Sequence, residues 1–247
     1  MPELPREEQL AAAFVDLADT LVQDFGVVGF LYSLAEHCVK LLDVAAAGVL
    51  LASADGRLVD AAASDERTRR LVLASVEWDE GPCQDCFRTK EQVPDVPLAT
   101  QAARTRWPLF APRAVEAGFT SVVAAPLRLN NQVIGALNLF QDQPGPLDGS
   151  HVRLGQALAD TATIGVLQQR AVSEQMAVTA QLQTALDSRI IIEQAKGYLA
   201  NRHDLDVEEA FTLMRRYARD HQTRLTEIAR QVLQGTVDAA LLTRHDG

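Results

Sequence analysis

Two groups of side chains in this sequence have the types and spacing to do chemistry. The first is Cys83-Gln84-Asp85-Cys86. A C-x-x-C pair can cycle between dithiol and disulfide, or supply half of a four-ligand zinc site. It follows the Gly81-Pro82 breaker in a stretch, 78–90, that reads as irregular, with no second C-x-x-C and no histidine nearby. A local zinc site cannot be assembled from that, and no other metal site is expected. Redox sensing by Cys83 and Cys86 stands beside inert packing. Cys38 falls on an apolar helical stripe and reads as buried. The second group is cationic. Arg215, Arg216 and Arg219 share one helix, with Arg189, Lys196, Arg202, Arg224 and Arg230 on neighbouring elements. Guanidinium makes planar, bidentate contacts that suit phosphate and base edges. A merely solvated helix face would look the same, and both readings stand at this level. No paired catalytic carboxylates, nucleophile–His–acid order or phosphate-cradling glycine loop stands out, so an enzyme is not expected. His37 and His151 lie on helices, away from the loops expected to line a pocket, so a haem ligand is not expected either.

Charge sets limits on the cationic group. The chain has 247 residues with 23 Lys+Arg and 33 Asp+Glu, a net charge of −10. That excludes a generally basic nucleic-acid binder. The charge is unevenly spread: residues 186–247 hold 9 Lys+Arg against 10 Asp+Glu, which leaves 14 against 23 for residues 1–185. The C-terminal unit is nearly neutral, and arginine outnumbers lysine there by eight to one. Aromatic residues at 5% argue against a stacking-rich single-strand binder. Apolar residues at 47% and charged residues at 23% exclude wholesale disorder. Three cysteines make no disulfide framework, and the acidic start Met1–Glu8 lacks the basic and apolar regions of a signal peptide. No apolar run approaches the roughly 18 residues needed to span a bilayer. A cytoplasmic protein with no membrane partner is expected.

The elements that must position these groups follow from periodicity. Leu10, Phe14, Leu17, Leu21 and Phe25 recur at helical spacing, and Leu31, Leu34, Cys38 and Leu41 mark a second helix over 28–42. Strands are expected at 48–52 and 58–63 around an Asp55-Gly56 turn, then a helix at 66–75, a short strand at 92–96 and a helix at 106–117. The clearest hairpin is 121–129 with 132–141, joined by Asn130-Asn131. Val123, Ala125, Leu127 and Leu129 share one face, as do Val133, Gly135, Leu137 and Leu139. One long helix follows from Gly149 to about Asn201, with an imperfect heptad stripe at Ile164, Leu167, Ala171, Glu174, Val178, Leu182 and Ala185. It reads as a helix packed on its own domain or as a stalk that dimerises. Asp206 and Glu209 have capping-box spacing for a helix at 207–220, and Thr223 can cap another at 224–234. Three apolar stripes, Ile192/Ala195/Leu199, Val207/Phe211/Met214/Ala218 and Leu225/Ile228/Ala229/Val232, predict a small shared core.

Ser188-Arg189-Ile190-Ile191-Ile192-Glu193-Gln194-Ala195-Lys196-Gly197-Tyr198-Leu199 resembles the opening of the ANTAR domain. The resemblance continues through Glu209–Arg219 and closes at Leu225-Thr226-Glu227-Ile228-Ala229, about 55 residues in consistent order. It implies a dimeric, three-helix RNA-binding module that holds paired hairpins in nascent mRNA leaders and prevents a terminator from forming. The RNA contacts it implies are Lys196, Arg215, Arg216 and Arg219, with Arg202 at the rim. Gly197, in mid-helix, costs about 1 kcal/mol relative to alanine, which close helix packing or close approach of the RNA backbone would offset. Tyr198 and Tyr217 can stack on a base, though packing is the plainer role, and Arg189 can pair with a carboxylate across a dimer.

The N-terminal part is similar to a GAF domain, through its order of elements and through Phe14–Leu21 and Glu80–Cys83, which look like those of GAF–ANTAR regulators. That implies a pocket between sheet and loops for an unidentified small molecule, with Trp78, Phe87 and Trp107 near it. The expected fold is α+β: a GAF-like antiparallel sheet flanked by helices over 1–166, a coiled-coil linker at 167–186, and a three-helix head at 187–243. The expected function is a signal-responsive, homodimeric RNA-binding antiterminator. The rival readings are a DNA-binding regulator and a metabolite- or redox-sensing interaction scaffold.

Overall fold

The computed structural model describes residues 5–22, 26–53 and 55–237. Its elements are α1 (Arg6–Val22), α2 (Gly26–Leu42), β1 (Ala46–Ala52), β2 (Leu58–Ala63), α3 (Glu66–Glu77), α4 (Pro82–Thr89), β3 (Val93–Pro97), α5 (Gln101–Arg106), α6 (Phe110–Glu116), β4 (Ser121–Leu129), β5 (Gln132–Gln141), α7 (Gly149–His203), α8 (Val207–Asp220) and α9 (Leu225–Gln234). The chain divides into two compact units, Met1–Ala171 and Val172–Gly247, and α7 contributes to both.

In the first unit an α+β architecture forms around one antiparallel five-stranded sheet of order β2-β1-β5-β4-β3. Alternation along the strands sorts side chains onto two buried faces. Ala47, Val49, Val123, Ala125, Leu137 and Leu139 face a core shared with α1, α2 and the first part of α7. Ala46, Leu50, Val122, Ala124, Ala136 and Phe140 face a second core built with α3–α6. Of the stripe expected on α1, Leu17 is buried and Leu10 and Phe14 pack against the first core; Phe25 and the Leu21 side chain lie outside the described residues. A Cβ at Gly155 would come within 2.8 Å of Leu139 Cδ1 and 3.3 Å of Leu42 Cδ1, so α7 lies close on the sheet there. Asn130 supplies the left-handed turn of the β4–β5 hairpin at φ 53°. The faces of that hairpin agree with expectation up to Leu127; a register shift follows, and Leu129 is exposed.

Several expectations are corrected. The stretch 78–90 is not irregular, because α4 occupies most of it. Pro82 takes the first helical position, where its fixed φ and missing N–H are no handicap, and Gly81 precedes it at φ 118°. The pair read as a breaker is a helix start. The helix expected at 106–117 is confined to α6, and α5, which was not expected, precedes it; the two are separated at Trp107–Leu109 around Pro108. The N-cap of α9 is Arg224 with no side-chain cap bond; the Thr223 hydroxyl donates to the His221 carbonyl instead.

The second unit begins with residues 172–187, all of them solvent-exposed, and ends in a three-helix head. Ala195 and Leu199 of α7, Ala210, Met214 and Ala218 of α8, and Ile228, Ala229 and Val232 of α9 form its core. Of the α8 stripe, Met214 and Ala218 are buried as expected, but in its first turn Ala210 is buried in place of Phe211, which is half-buried, and Val207 is exposed. The head's expected end at residue 243 lies outside the described residues. Among the described residues, no helix is long and apolar enough to cross a membrane.

Candidate nucleic-acid interface

The head is built so that α8 carries its cations on a firmly started helix. The Asp206 side chain accepts from the Glu208 N–H at 2.8 Å, and the Glu209 carboxylate accepts from the Asp206 N–H at 3.0 Å, closing the capping box. With Ala210, Met214 and Ala218 committed to the core, helical spacing turns Arg215 and Arg219 outward, one turn apart. Both are exposed, and among the described residues neither forms an ion pair. The Arg215 guanidinium lies 5.8 Å from the Phe211 ring centroid, which holds its stem in place. Arg215 and Arg219 line a hollow of about 320 Å³ with Ala218, Thr223 and Leu225. Arg216, beside them, is half-buried.

Lys196 is placed differently from the expected RNA contact. It is 7% exposed, with its ammonium 3.2 Å from Glu193, 3.6 Å from Glu208 and 5.0 Å from the Phe211 ring centroid. An ammonium held by two carboxylates and an aromatic face ties α7 to the start of α8 and offers no free side to a phosphate. Arg202 donates to the Tyr198 hydroxyl at 2.9 Å on the last turns of α7, so both are engaged with each other. Tyr217 stacks on His221 at 3.9 Å and packs against the head core. A Cβ at Gly197 would meet no atom within 4 Å, so close packing is not what this glycine serves.

In the first unit the aromatic residues expected near a pocket are packed into the core between α3–α6 and the sheet. Trp107 is buried, meets Phe110 edge-on at 5.9 Å, and donates its indole N–H to Asp85 at 2.9 Å. Asp85 also accepts from Arg106 at 2.7 Å, and that guanidinium lies 4.8 Å over the Trp107 ring. Trp78 and Phe87 pack against the same core, Trp78 beneath Arg113 at 5.9 Å. The Glu80 carboxylate accepts both the Leu109 and Phe110 N–H groups and so caps α6. Asn138, on the central strand β5, is fully buried with neither end of its amide hydrogen-bonded.

Cys83 and Cys86 lie one turn apart on α4 with both sulfurs buried, and Cys83 Sγ sits 3.5 Å from the Ala136 carbonyl. Burial pushes the Cys86 thiol up to about 12 and Cys83 well above its ordinary value, so both are neutral thiols near pH 7 in this conformation. Among the described residues, no cluster of three or more His, Cys, Asp or Glu side chains is placed to hold a metal.

Sequence reasoning counted Arg224 among the cations but passed over Gln222 and Thr226, which cluster with it at the α8–α9 turn. The readable signal was an arginine at a helix start where a capping residue belongs. Asn138 was missed as well; its signal was one amide in an otherwise apolar strand.

These two units match two families. The ANTAR domain family matches residues 180–233, and the GAF domain family matches residues 10–166. No curated protein matches the chain. Among solved structures, the chain is similar to the GAF domain of an Acinetobacter phosphoenolpyruvate-protein phosphotransferase, at 14% identity, a TM-score of 0.48, and coverage of 70% of this chain and 99% of that one. It is also similar to the phycoerythrobilin-bound GAF domain of a cyanobacterial phytochrome, at 14% identity, TM-score 0.49, covering 70% and 100%. A third is free methionine-R-sulfoxide reductase of Neisseria meningitidis, at 13% identity, TM-score 0.49, covering 70% and 96%. The GAF match spans more than half of the chain, and the ANTAR match covers the three-helix head. The chain belongs to the GAF domain family and, with an ANTAR domain behind it, is a regulator that joins a sensor to an output head.

Proposed function

We propose that the protein is an RNA-binding transcription antiterminator: its head, 187–243, holds paired hairpins of nascent mRNA leaders, and a signal received by the sensor, 1–166, governs that binding. The observation that carries the reading is the exposed, unpaired Arg215/Arg219 face of α8, on the segment that matches the ANTAR family. RNA hairpins present phosphates to such cations and unstacked loop bases to neighbouring polar side chains. A near-neutral head suits selective binding, since bulk attraction alone does not hold it on RNA. Lys196 supports the head from within instead of touching RNA.

The protein acts as a homodimer through the linker, 167–186. Support comes from exposed apolar side chains on α7: Val172, Met176, Leu182, Leu186 and Ile190 are each 45–68% exposed and recur along one side of the helix. Of the heptad stripe expected from sequence, Leu167 packs against the sensor core, while Val178 and Leu182 are exposed.

The test is a binding titration of the full chain against two-hairpin leader RNA, recovered by co-purification from cells, with duplex DNA as competitor. Saturable RNA binding that weakens with salt and resists DNA is expected. Equal preference for duplex DNA moves the reading to a DNA-binding regulator. Sedimentation equilibrium of Leu182→Glu/Leu186→Glu, expected to be monomeric, tests the linker.

A further inference from the structure

The strongest unassigned feature is a second hollow in the head, about 470 Å³, between α7 and the α8–α9 turn. Its size falls within the range of small-ligand pockets. Ser188 of α7, Gln222 and Arg224 of the turn, and Thr226, Glu227 and Arg230 of α9 line it. Among the described residues, the side chains of Ser188, Gln222, Arg224 and Thr226 make no hydrogen bond, so their polar groups are available. Gln222 is set there by a strained backbone. It occupies the position after the α8 C-cap at φ 51°, where glycine is the usual residue. The Gln222 N–H to Arg219 carbonyl (3.1 Å) and Thr223 N–H to Ala218 carbonyl (2.8 Å) bonds hold the turn. A side chain kept at a glycine position is consistent with a task for that side chain.

The chemistry of the lining says what fits. Glu227 contributes a carboxylate that already meets Arg230 at 3.5 Å and Gln231 at 3.2 Å, yet keeps further acceptor capacity. Beside Arg224 and Arg230, the Glu227 carboxylate disfavours a phosphate only at its own position in the lining. It accepts from the exocyclic amino group of a base. The unpaired cations, Arg224 here and Arg219 on the adjoining hollow, stand where the flanking backbone can meet them; Thr223 lines both hollows.

We infer that this cleft seats one unpaired loop base bearing an exocyclic amino group, with Glu227 accepting from it, Gln222, Ser188 and Thr226 completing its polar edge, and Arg224 holding an adjacent phosphate. The inference rests on the RNA reading above and deepens it by naming where base identity is read.

The test uses the full-length protein and a labelled pool of two-hairpin RNAs with fully randomised loops. Retained RNA is sequenced, and the enriched species is titrated at fixed salt. The wild type enriches an amino-bearing base at one loop position, and uracil there weakens binding about tenfold. Glu227→Ala and Thr226→Val, checked by thermal melting, each cut that preference to less than about threefold. Arg224→Ala weakens all RNAs alike and leaves the preference intact. If the wild type retains no RNA from the pool, the RNA reading itself fails. If RNA is retained but both Glu227→Ala and Thr226→Val fold and keep the full preference, or uracil is accepted equally at every loop position, the base pocket is overturned and the RNA reading stands.

Discussion

The two halves treat arginine in opposite ways. In the sensor, Arg67 donates to the Ala117 carbonyl and lies 4.5 Å over Phe119, Arg106 is bound between Asp85 and Trp107, Arg88 holds Asp79, and Arg69 and Arg70 share Glu66. In the head, Arg215, Arg219 and Arg224 form no ion pair among the described residues. The acidic half spends these cations on its own aromatic rings and carboxylates, while the nearly neutral head pairs Lys196 and Arg230 internally but keeps Arg215, Arg219 and Arg224 exposed and outside any ion pair. Pairing, more than net charge, marks where a polyanion can dock.

The largest effect expected from breaking this contrast is Trp107→Ala. It removes a buried indole and its hydrogen bond to Asp85, so it should lower sensor stability by about 3–5 kcal/mol in a denaturant melt while RNA affinity of the folded protein persists. Alkaline pH should also strike the sensor first. All three cysteines are there, and burial raises each thiol, Cys38 and Cys86 to about 12 from an ordinary value of 9.0. A pKa raised by folding favours the folded state fully below the unfolded value, and that contribution is lost as pH rises from about 9 towards 12. Melting of the sensor by near-ultraviolet circular dichroism should fall over that window; a flat profile would show that the thiols are not buried in solution.

On the head, Arg219→Glu should weaken RNA binding about 10- to 100-fold and flatten its log–log salt dependence by about one unit, with the melting temperature unchanged. Unaltered affinity would mean that the outward cations are only solvated. Gly197→Ala is the smallest change. Because a Cβ there meets open space, the head should gain about 1 kcal/mol. At about 100° per residue, Gly197 lies half a turn around α7 from Ser188, so RNA affinity should stay within about twofold. A larger loss would show that RNA reaches a second face of α7.

The elements most legible in sequence were those with local rules. The bounds of the β4–β5 hairpin were readable from alternation and its Asn-Asn turn, though not the register shift after Leu127, and α8 was readable from its Asp206/Glu209 box. What escaped depends on partners distant in sequence. Gly81-Pro82 reads alike as a breaker or a helix start until α4 packs Cys83 and Cys86 against the sheet. Lys196 looks like a surface cation, because nothing local announces Glu208, twelve residues on and across a turn. The same blindness hid the α8–α9 cleft, whose lining comes from two helices, α7 and α9, and the turn between α8 and α9. Apart from α4 and α5, the order and type of elements were therefore readable, whereas which cations are free required the fold.

One feature of the sheet bears on the protein's fate at high concentration. Strand β3 closes one edge with Val93-Pro94-Asp95-Val96-Pro97, and its pairing to β4 skips between Val93 and Val96. Two prolines remove two N–H donors, and the irregular pairing twists what remains. A neighbouring chain finds no continuous ladder there to extend, so crowding during synthesis should not seed strand-by-strand aggregates from this rim.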